Sequence, residues 1–450
     1  MISKIRLKLT DFLGSSGFKK YFSNTAWLLG EKIASMGVAF VVGALVARYL
    51  GAEKMGILAY AMSIAGFLDV FIQMGTKSIL TRNLVAEPDN KNIILGSGLA
   101  LRGLGAIFSL IGLLLLLVLV PEDGLTLYII LIMSIPPLLV GAQILFSYFD
   151  SKVITKYDAR VKLVSLVIIS CFRLSLIFLF QAGLVWFAFG YVIVEFINLV
   201  GQVWIYQRGH GNVLELRVSK AYMKRLFNES WPLIFTALLT VIYMRTDQIM
   251  IKHLLNDAQT GVYFVSVRFS MIFVFIPTVI GSSLATAVYR AKKHSYEKFL
   301  QRTQELLNFL VFASFGVILV VSIAGPMLID FIYGSDYSAA GPVLIVHVWS
   351  LLFIALGTGS STYLMAIDLQ KISLIRTIIG AIVNVLLNFL FIPKYGIIGA
   401  AYATLITQVV ASYLAYLTSK RTREIFLMQT RALFLIGFVQ QVASFLKKQE

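Results

Sequence analysis

Residues 93–120 read IILGSGLALRGLGAIFSLIGLLLLLVLV and run straight into Pro121-Glu122-Asp123-Gly124. One charge, Arg102, interrupts a stretch longer than the about 20 apolar residues that a membrane helix needs. Turn chemistry ends it. Membrane strands would instead show alternating segments of about ten residues. Working outward, the same pattern recurs, and twelve segments qualify as spans: 25–49, 56–76, 93–120, 125–149, 161–181, 184–206, 231–254, 261–289, 306–332, 341–367, 373–393 and 397–418. Their separators include Gly51-Ala52-Glu53-Lys54, Gln181-Ala182-Gly183 and Gly334-Ser335-Asp336. Composition agrees: of 450 residues, 58% are apolar and 14% charged, against roughly 45–50% and about 25% in soluble chains. With 33 Phe and 20 Tyr the chain is not a disordered one. The expected fold is all-α and polytopic.

The net charge of +17 could by itself point to nucleic acid. Its placement points elsewhere. With the N-terminus inside, 30 of the 39 Lys and Arg fall in cytoplasmic segments, and Arg48, Lys54, Lys252 and Lys394 fall outside. That bias is the positive-inside signal, with both termini cytoplasmic and no nucleic-acid partner. The longest inner loop, 207–230, has no interleaved aromatic-basic pattern. Residues 1–24 combine Lys4, Arg6, Lys8, Lys19 and Lys20 with Ile5, Leu7, Leu9, Phe12 and Leu13, as a surface-lying helix does. In the tail, 419–450, the apolar run 432–446 is short and broken by Gln440-Gln441, so an interfacial helix is favoured over a further span. Cys171 is a lone cysteine, and His210, His253, His294 and His347 have no ligand spacing, so neither metal nor cofactor is expected.

Two turns repeat. Leu50–Ile57 after the first span has the spacing of Leu255–Val262 after the seventh, and Gly183-Leu184-Val185 matches Gly396-Ile397-Ile398. Two six-helix lobes follow, 25–206 and 231–418, joined by the 207–230 loop. Within the spans lie Lys32, Arg102, Arg173, Arg245 and Arg268, with the acids Glu31, Asp69, Glu195 and Asp247. A charge at mid-bilayer costs at least ~2.5–3.5 kcal/mol, so such residues face a partner or a watery cavity. Lys32 and Glu31 sit near the inner end of the first span, where a snorkelling lysine serves as well as a binding one. Asp69 with Arg102, and Arg173 with Glu195, are at matching depths and can pair structurally. Arg245 and Asp247 are too close along one helix to face each other and are expected to pair with other spans. Basic groups exceed acids by one, which favours an anionic cargo. Pro136-Pro137, Pro277, Pro232 and Pro342 mark kinks or span starts.

The stretch Tyr243-Met244-Arg245-Thr246-Asp247-Gln248-Ile249-Met250-Ile251, followed by Gly261-Val262-Tyr263 and Val267-Arg268-Phe269-Ser270, resembles the seventh and eighth helices of the Wzx-type polysaccharide flippases of the MOP superfamily. Ala47-Arg48-Tyr49-Leu50-Gly51, Tyr333-Gly334-Ser335-Asp336-Tyr337, and Asn384 to Asn388 with Pro393–Ala401 extend the resemblance over nearly the whole chain. It implies a MATE-like pair of lobes around a cationic cavity. The cargo would be an undecaprenyl-diphosphate-linked oligosaccharide, moved by alternating access across the bacterial inner membrane for O-antigen, capsule or exopolysaccharide synthesis. Membrane lipids are implied partners, as are the polymerase and chain-length proteins of such a pathway. By helix position Arg268 matches the family's eighth-helix arginine, Arg245 and Asp247 its seventh-helix motif, and Lys32 a first-helix basic residue. Arg268 ranks first as substrate contact, then Lys32 and Arg102. Asp69 stands where lipid II flippases carry an arginine, which weakens that assignment.

A multidrug/cation antiporter of the same superfamily is the alternative, and it needs unpaired mid-membrane acids such as Asp69, Glu195 or Asp247. A polymerase or ligase is disfavoured because every outer loop is short, and the expectation is a non-enzyme. An interaction subunit of a synthesis complex would leave the internal charges without a use. No GxxxxGK[ST] sequence is present, which argues against direct ATP use.

Overall fold

The computed structural model describes the backbone of residues 16–434 and the side chains of 35–434. The described residues form helices and no strand: α1 (Ser16–Gln73), α2 (Lys77–Ala86), α3 (Lys91–Leu119), α4 (Gly124–Met133), α5 (Ile135–Ala142), α6 (Leu145–Ser151), α7 (Lys156–Phe178) and α8 (Leu184–Gln207) come first. Then follow α9 (Lys220–Leu254), α10 (Asp257–Met271), α11 (Phe275–His294), α12 (Tyr296–Tyr333), α13 (Ala340–Val348), α14 (Ser350–Ala366), α15 (Gln370–Ser412) and α16 (Arg423–Leu433). Residues 1–15 of the expected surface helix, and the run 432–446 beyond Phe434, lie outside the described residues, as do the side chains of Lys32 and Glu31.

Helix α3 shows what makes the fold. Its small and polar positions turn inward: Gly98, Arg102, Gly105 and Ser109 are buried together with Leu101 and Leu113. Its bulky side chains turn outward, with Leu104, Ile107, Phe108, Ile111, Leu114, Leu115 and Val118 exposed. Water would penalise that arrangement, whereas hydrocarbon accepts the outer face and the small inner residues let helices approach. Ser109 Oγ accordingly donates to the Leu68 carbonyl of α1 at 3.2 Å. The chain is a multi-pass membrane protein.

Ten runs among the described residues are long and apolar enough to cross a membrane. Two of them, Ser35–Ala86 and Gln370–Thr418, each cover a pair of the expected spans. Inside those runs Gly51 (φ 75) and Gly396 (φ 63) leave the helical region, at the turns the sequence marks. A left-handed φ costs glycine little. Pro136-Pro137 sits where α4 gives way to α5 at Ser134. Pro232, expected to start a span, instead lies inside α9, which begins at Lys220.

The chain divides into two compact units. Among the described residues, one runs to Tyr49 and takes Ala61–Leu238, and the other takes Leu50–Tyr60 and everything from Leu239. The division therefore falls within α9 rather than in 207–230. The reason is chemical: Leu226 joins a buried cluster with Leu80, Leu84, Ile94, Tyr148 and Tyr206, with Tyr222 and Met223 packed against it. On its polar side Arg225 pairs with Glu87 at 3.0 Å and Glu229 at 3.1 Å, and Arg82 also pairs with Glu229.

In the second unit the two copies of the repeated turn meet. A Cβ on Gly56 would lie 1.8 Å from the Asp257 carbonyl oxygen, and one on Gly261 would lie 1.9 Å from that of Ala52. Ala52 and Gly56 hold the same places in the first copy as Asp257 and Gly261 in the second, so the contact is reciprocal. Lys252 closes it with a 2.5 Å ion pair to Asp257.

Candidate functional site

In the first unit, Arg102 is buried, and its guanidinium donates to Thr76 Oγ1 at 2.9 Å and the Gly141 carbonyl at 3.2 Å. These bonds tie α3 to the start of α2 and to α5. Asp69 does not chelate it. The Asp69 carboxylate accepts from Gln73 Nε2 at 2.6 Å, leaving Oδ1 buried without a hydrogen-bond partner. The expected Arg173–Glu195 pair is not formed. Arg173 lies over the Tyr191 ring, 4.5 Å from its centre. Glu195 instead accepts from Gln143 Nε2 at 2.8 Å and Asn198 Nδ2 at 3.3 Å. Amide donors thus satisfy the acid, and a ring face holds the base.

In the second unit Asp247 does pair with another helix: Tyr263 of α10 donates to its Oδ2 at 2.6 Å, and its other oxygen accepts the Gln248 backbone N–H at 2.8 Å. On α15, Asn388 Nδ2 donates to Asn384 Oδ1 at 3.0 Å, and both amides are buried. Arg245 is half-buried on α9 beside Asp247. Arg268, on α10, is half-buried over the Phe264 ring at 5.6 Å. No carboxylate pairs with Arg268 among the described residues. Of the basic candidates, Arg102 is thus built into its unit by hydrogen bonds, while Arg173 and Arg268 rest on aromatic faces.

One half-buried cation escapes the charge reading. Arg376 stands on α15 within the expected span 373–393, yet its closeness to the 368–372 turn placed it among the inner-loop charges. Its Nε and Nη1 are sealed from solvent without a hydrogen-bond partner. Its guanidinium lies 4.9 Å from the centre of the Tyr416 ring. It borders a 180 Å³ cavity lined also by Thr240, Tyr243, Thr377, Gln408 and Ser412. The signal is Arg376-Thr377 set between Leu374-Ile375 and Ile378-Ile379, a charge flanked on both sides by apolar residues of the span.

This polar interior inside apolar helices fits a carrier, and comparison with known proteins decides its family. The profile of the family described as "Polysaccharide biosynthesis protein" matches residues 22–289. The chain belongs to that family. A second profile, MatE, matches 232–390. A probable flippase, AglR, of Haloferax volcanii is 29% identical over 181 residues, 38% of this chain and 37% of that protein. The match thus spans little more than a third of that relative's length. Among solved structures, an inward-facing multidrug resistance MATE family transporter of the MOP superfamily superposes with a TM-score of 0.73 at 13% identity, covering 88% of this chain and 96% of the other. The lipid II flippase MurJ, in an inward closed conformation, gives 0.68 at 16% identity, covering 94% and 93%. Both likenesses are of fold. The family and its flippase-named relative agree with a non-enzyme. That relative comes from an archaeon, so the comparisons place the chain in a membrane without specifying the bacterial inner one.

Proposed function

We propose that the chain is a flippase that moves a lipid-linked oligosaccharide across the membrane. The observation that carries this reading is the family match over 22–289 together with the flippase name of its relative. In finer form, the cargo is an undecaprenyl-diphosphate-linked repeat unit, the membrane is a bacterial cytoplasmic membrane, and transport is by alternating access. The cationic set supports an anionic headgroup: Arg268 is unpaired with any carboxylate among the described residues, and a diphosphate can take charge-assisted hydrogen bonds from such groups. Arg245, Arg173 and Lys32 are proposed to assist, with Arg102 on the geometry of its own unit chiefly a strut. Asp247, held by Tyr263, is the acid proposed for coupling to an ion gradient, since an intramembrane carboxylate is costly and commonly functional.

The antiporter reading draws on the MatE match and the MATE fold. The two readings part in cells. Deletion in a strain without other flippases should accumulate lipid-linked oligosaccharide and abolish the surface polymer, with drug resistance unchanged. Intact polymer synthesis together with drug hypersensitivity would replace this reading with the antiporter.

A further inference from the structure

We propose that the cavity beside Arg376 is a binding site for a single phosphate-type oxyanion. A guanidinium stays charged at any physiological pH, and a buried charge without a counter-charge is strongly destabilising. Among the described residues no carboxylate pairs with Arg376, and none lines the cavity. What surrounds it is a set of neutral donors. The Tyr243 hydroxyl is buried and without a hydrogen-bond partner, as are Nε and Nη1 of Arg376. Thr377 also lines the cavity, its hydroxyl proton given to the Ser373 carbonyl at 3.0 Å. Gln408 takes the Ser412 hydroxyl on its Oε1 at 3.3 Å, which commits the carbonyl and leaves its NH₂ as a donor. Tyr416 supports one face of the guanidinium and so fixes its plane.

Size narrows the ligand. At 180 Å³ the cavity exceeds by an order of magnitude the ~10–15 Å³ that admits one water, but it falls below the ~300 Å³ at which pockets for larger molecules begin. A tetrahedral oxyanion fills a volume in this range, and the cavity's open side leaves room for whatever carries the phosphate. The phosphate can come from solution or from a lipid headgroup. Only the second source rests on the flippase reading.

The test titrates the purified full-length chain in detergent with inorganic phosphate, and separately with a short-chain polyprenyl phosphate, by calorimetry. Saturable binding of either is expected, and which one binds identifies the source. Arg376→Gln should weaken it by about tenfold or more, because a charge-assisted hydrogen bond is worth ~1.5–3 kcal/mol. Tyr243→Phe, which keeps the ring and the packing, should weaken it by about threefold or more, and Arg376→Lys should restore part of the loss. No binding of either probe to the wild type, or Tyr243→Phe and a folded Arg376→Gln both binding within twofold of it, would overturn the site. No flipping by a wild-type chain that binds phosphate would refute the flippase reading and leave this one standing.

Discussion

Arg102 and Arg268 are both arginines inside apolar helices, yet their surroundings give them different work. Arg102 spends its donors on Thr76 and Gly141. Removing it leaves a buried carbonyl and the Asp69 carboxylate without their neighbour. Arg102→Ala should therefore cost about 3–6 kcal/mol of stability, on the scale of two hydrogen bonds to a charged group. It should lower the melting temperature while transport per folded molecule stays within about threefold. Arg268→Ala should do the reverse, leaving melting nearly unchanged and slowing flipping by about tenfold, the effect of one lost charge-assisted contact. Melting curves alongside single-turnover flipping separate the two, and equal losses of stability in both would refute the division of roles. The sequence made both residues visible as intramembrane charges. It did not show their partners, because Thr76 and Gly141 are distant in the chain and neither residue type announces a ligand. Arg376 is hidden for another reason: a charge four residues past the 368–372 turn serves topology in most helices, and only the sealing of its Nε and Nη1 distinguishes it.

At the scale of elements, the turns were legible and the helix starts were not. Gly51 and Gly396 break their helices where the sequence places turn residues, since glycine alone tolerates those φ values at little cost. The start of α9 at Lys220 was hidden because Lys220–Glu229 is too polar for a span and gains its helix from packing on the first unit. The Gly56–Gly261 crossing gives a direct prediction. A methyl at either position meets a carbonyl oxygen below 2 Å, so Gly56→Ala or Gly261→Ala must push the helices apart, at about 1–3 kcal/mol as overpacking usually costs. Thermal denaturation of both variants should show similar losses, and an unshifted midpoint in either would contradict the close approach. The junction of α2, α3 and α9 gives a prediction in pH. The Asn90 amide and then the Arg225 guanidinium hold the exposed Glu87 carboxyl below its ordinary 4.5. A depressed carboxylate stabilises the fold above that value and loses its contribution as pH falls through the lowered one. Amide exchange at Glu87 and 89–91 should thus be flat from pH 6 to 8 once corrected for intrinsic rates, and protection should fall only in acid. Arg225→Gln should move that fall to higher pH, and an unmoved fall would remove Arg225 as a cause.

For the whole molecule, the class was readable because hydrophobic length is a property of the bilayer and not of any one contact. The same argument cannot fix the cargo, since lipid-facing helices are alike in carriers of drugs and of glycans. Cargo is decided by charge inside each unit. The first holds Arg102 and Arg173 with the amide-bound acids Asp69 and Glu195, and the second holds Arg245, Arg268 and Arg376 with the tyrosine-bound Asp247. The excess of cations in the second unit is the ground for proposing an anionic lipid headgroup over a cationic drug. The direct measurement is translocation in liposomes. The purified chain is reconstituted with a fluorescent undecaprenyl-diphosphate-oligosaccharide, and the fraction protected from an added quencher is followed with time. The account predicts that the protected fraction equilibrates quickly with the wild-type chain, about tenfold more slowly with Arg268→Ala, and hardly at all in protein-free vesicles. Equal rates in wild-type and protein-free vesicles, with uptake of a cationic drug by the same preparation, would contradict it.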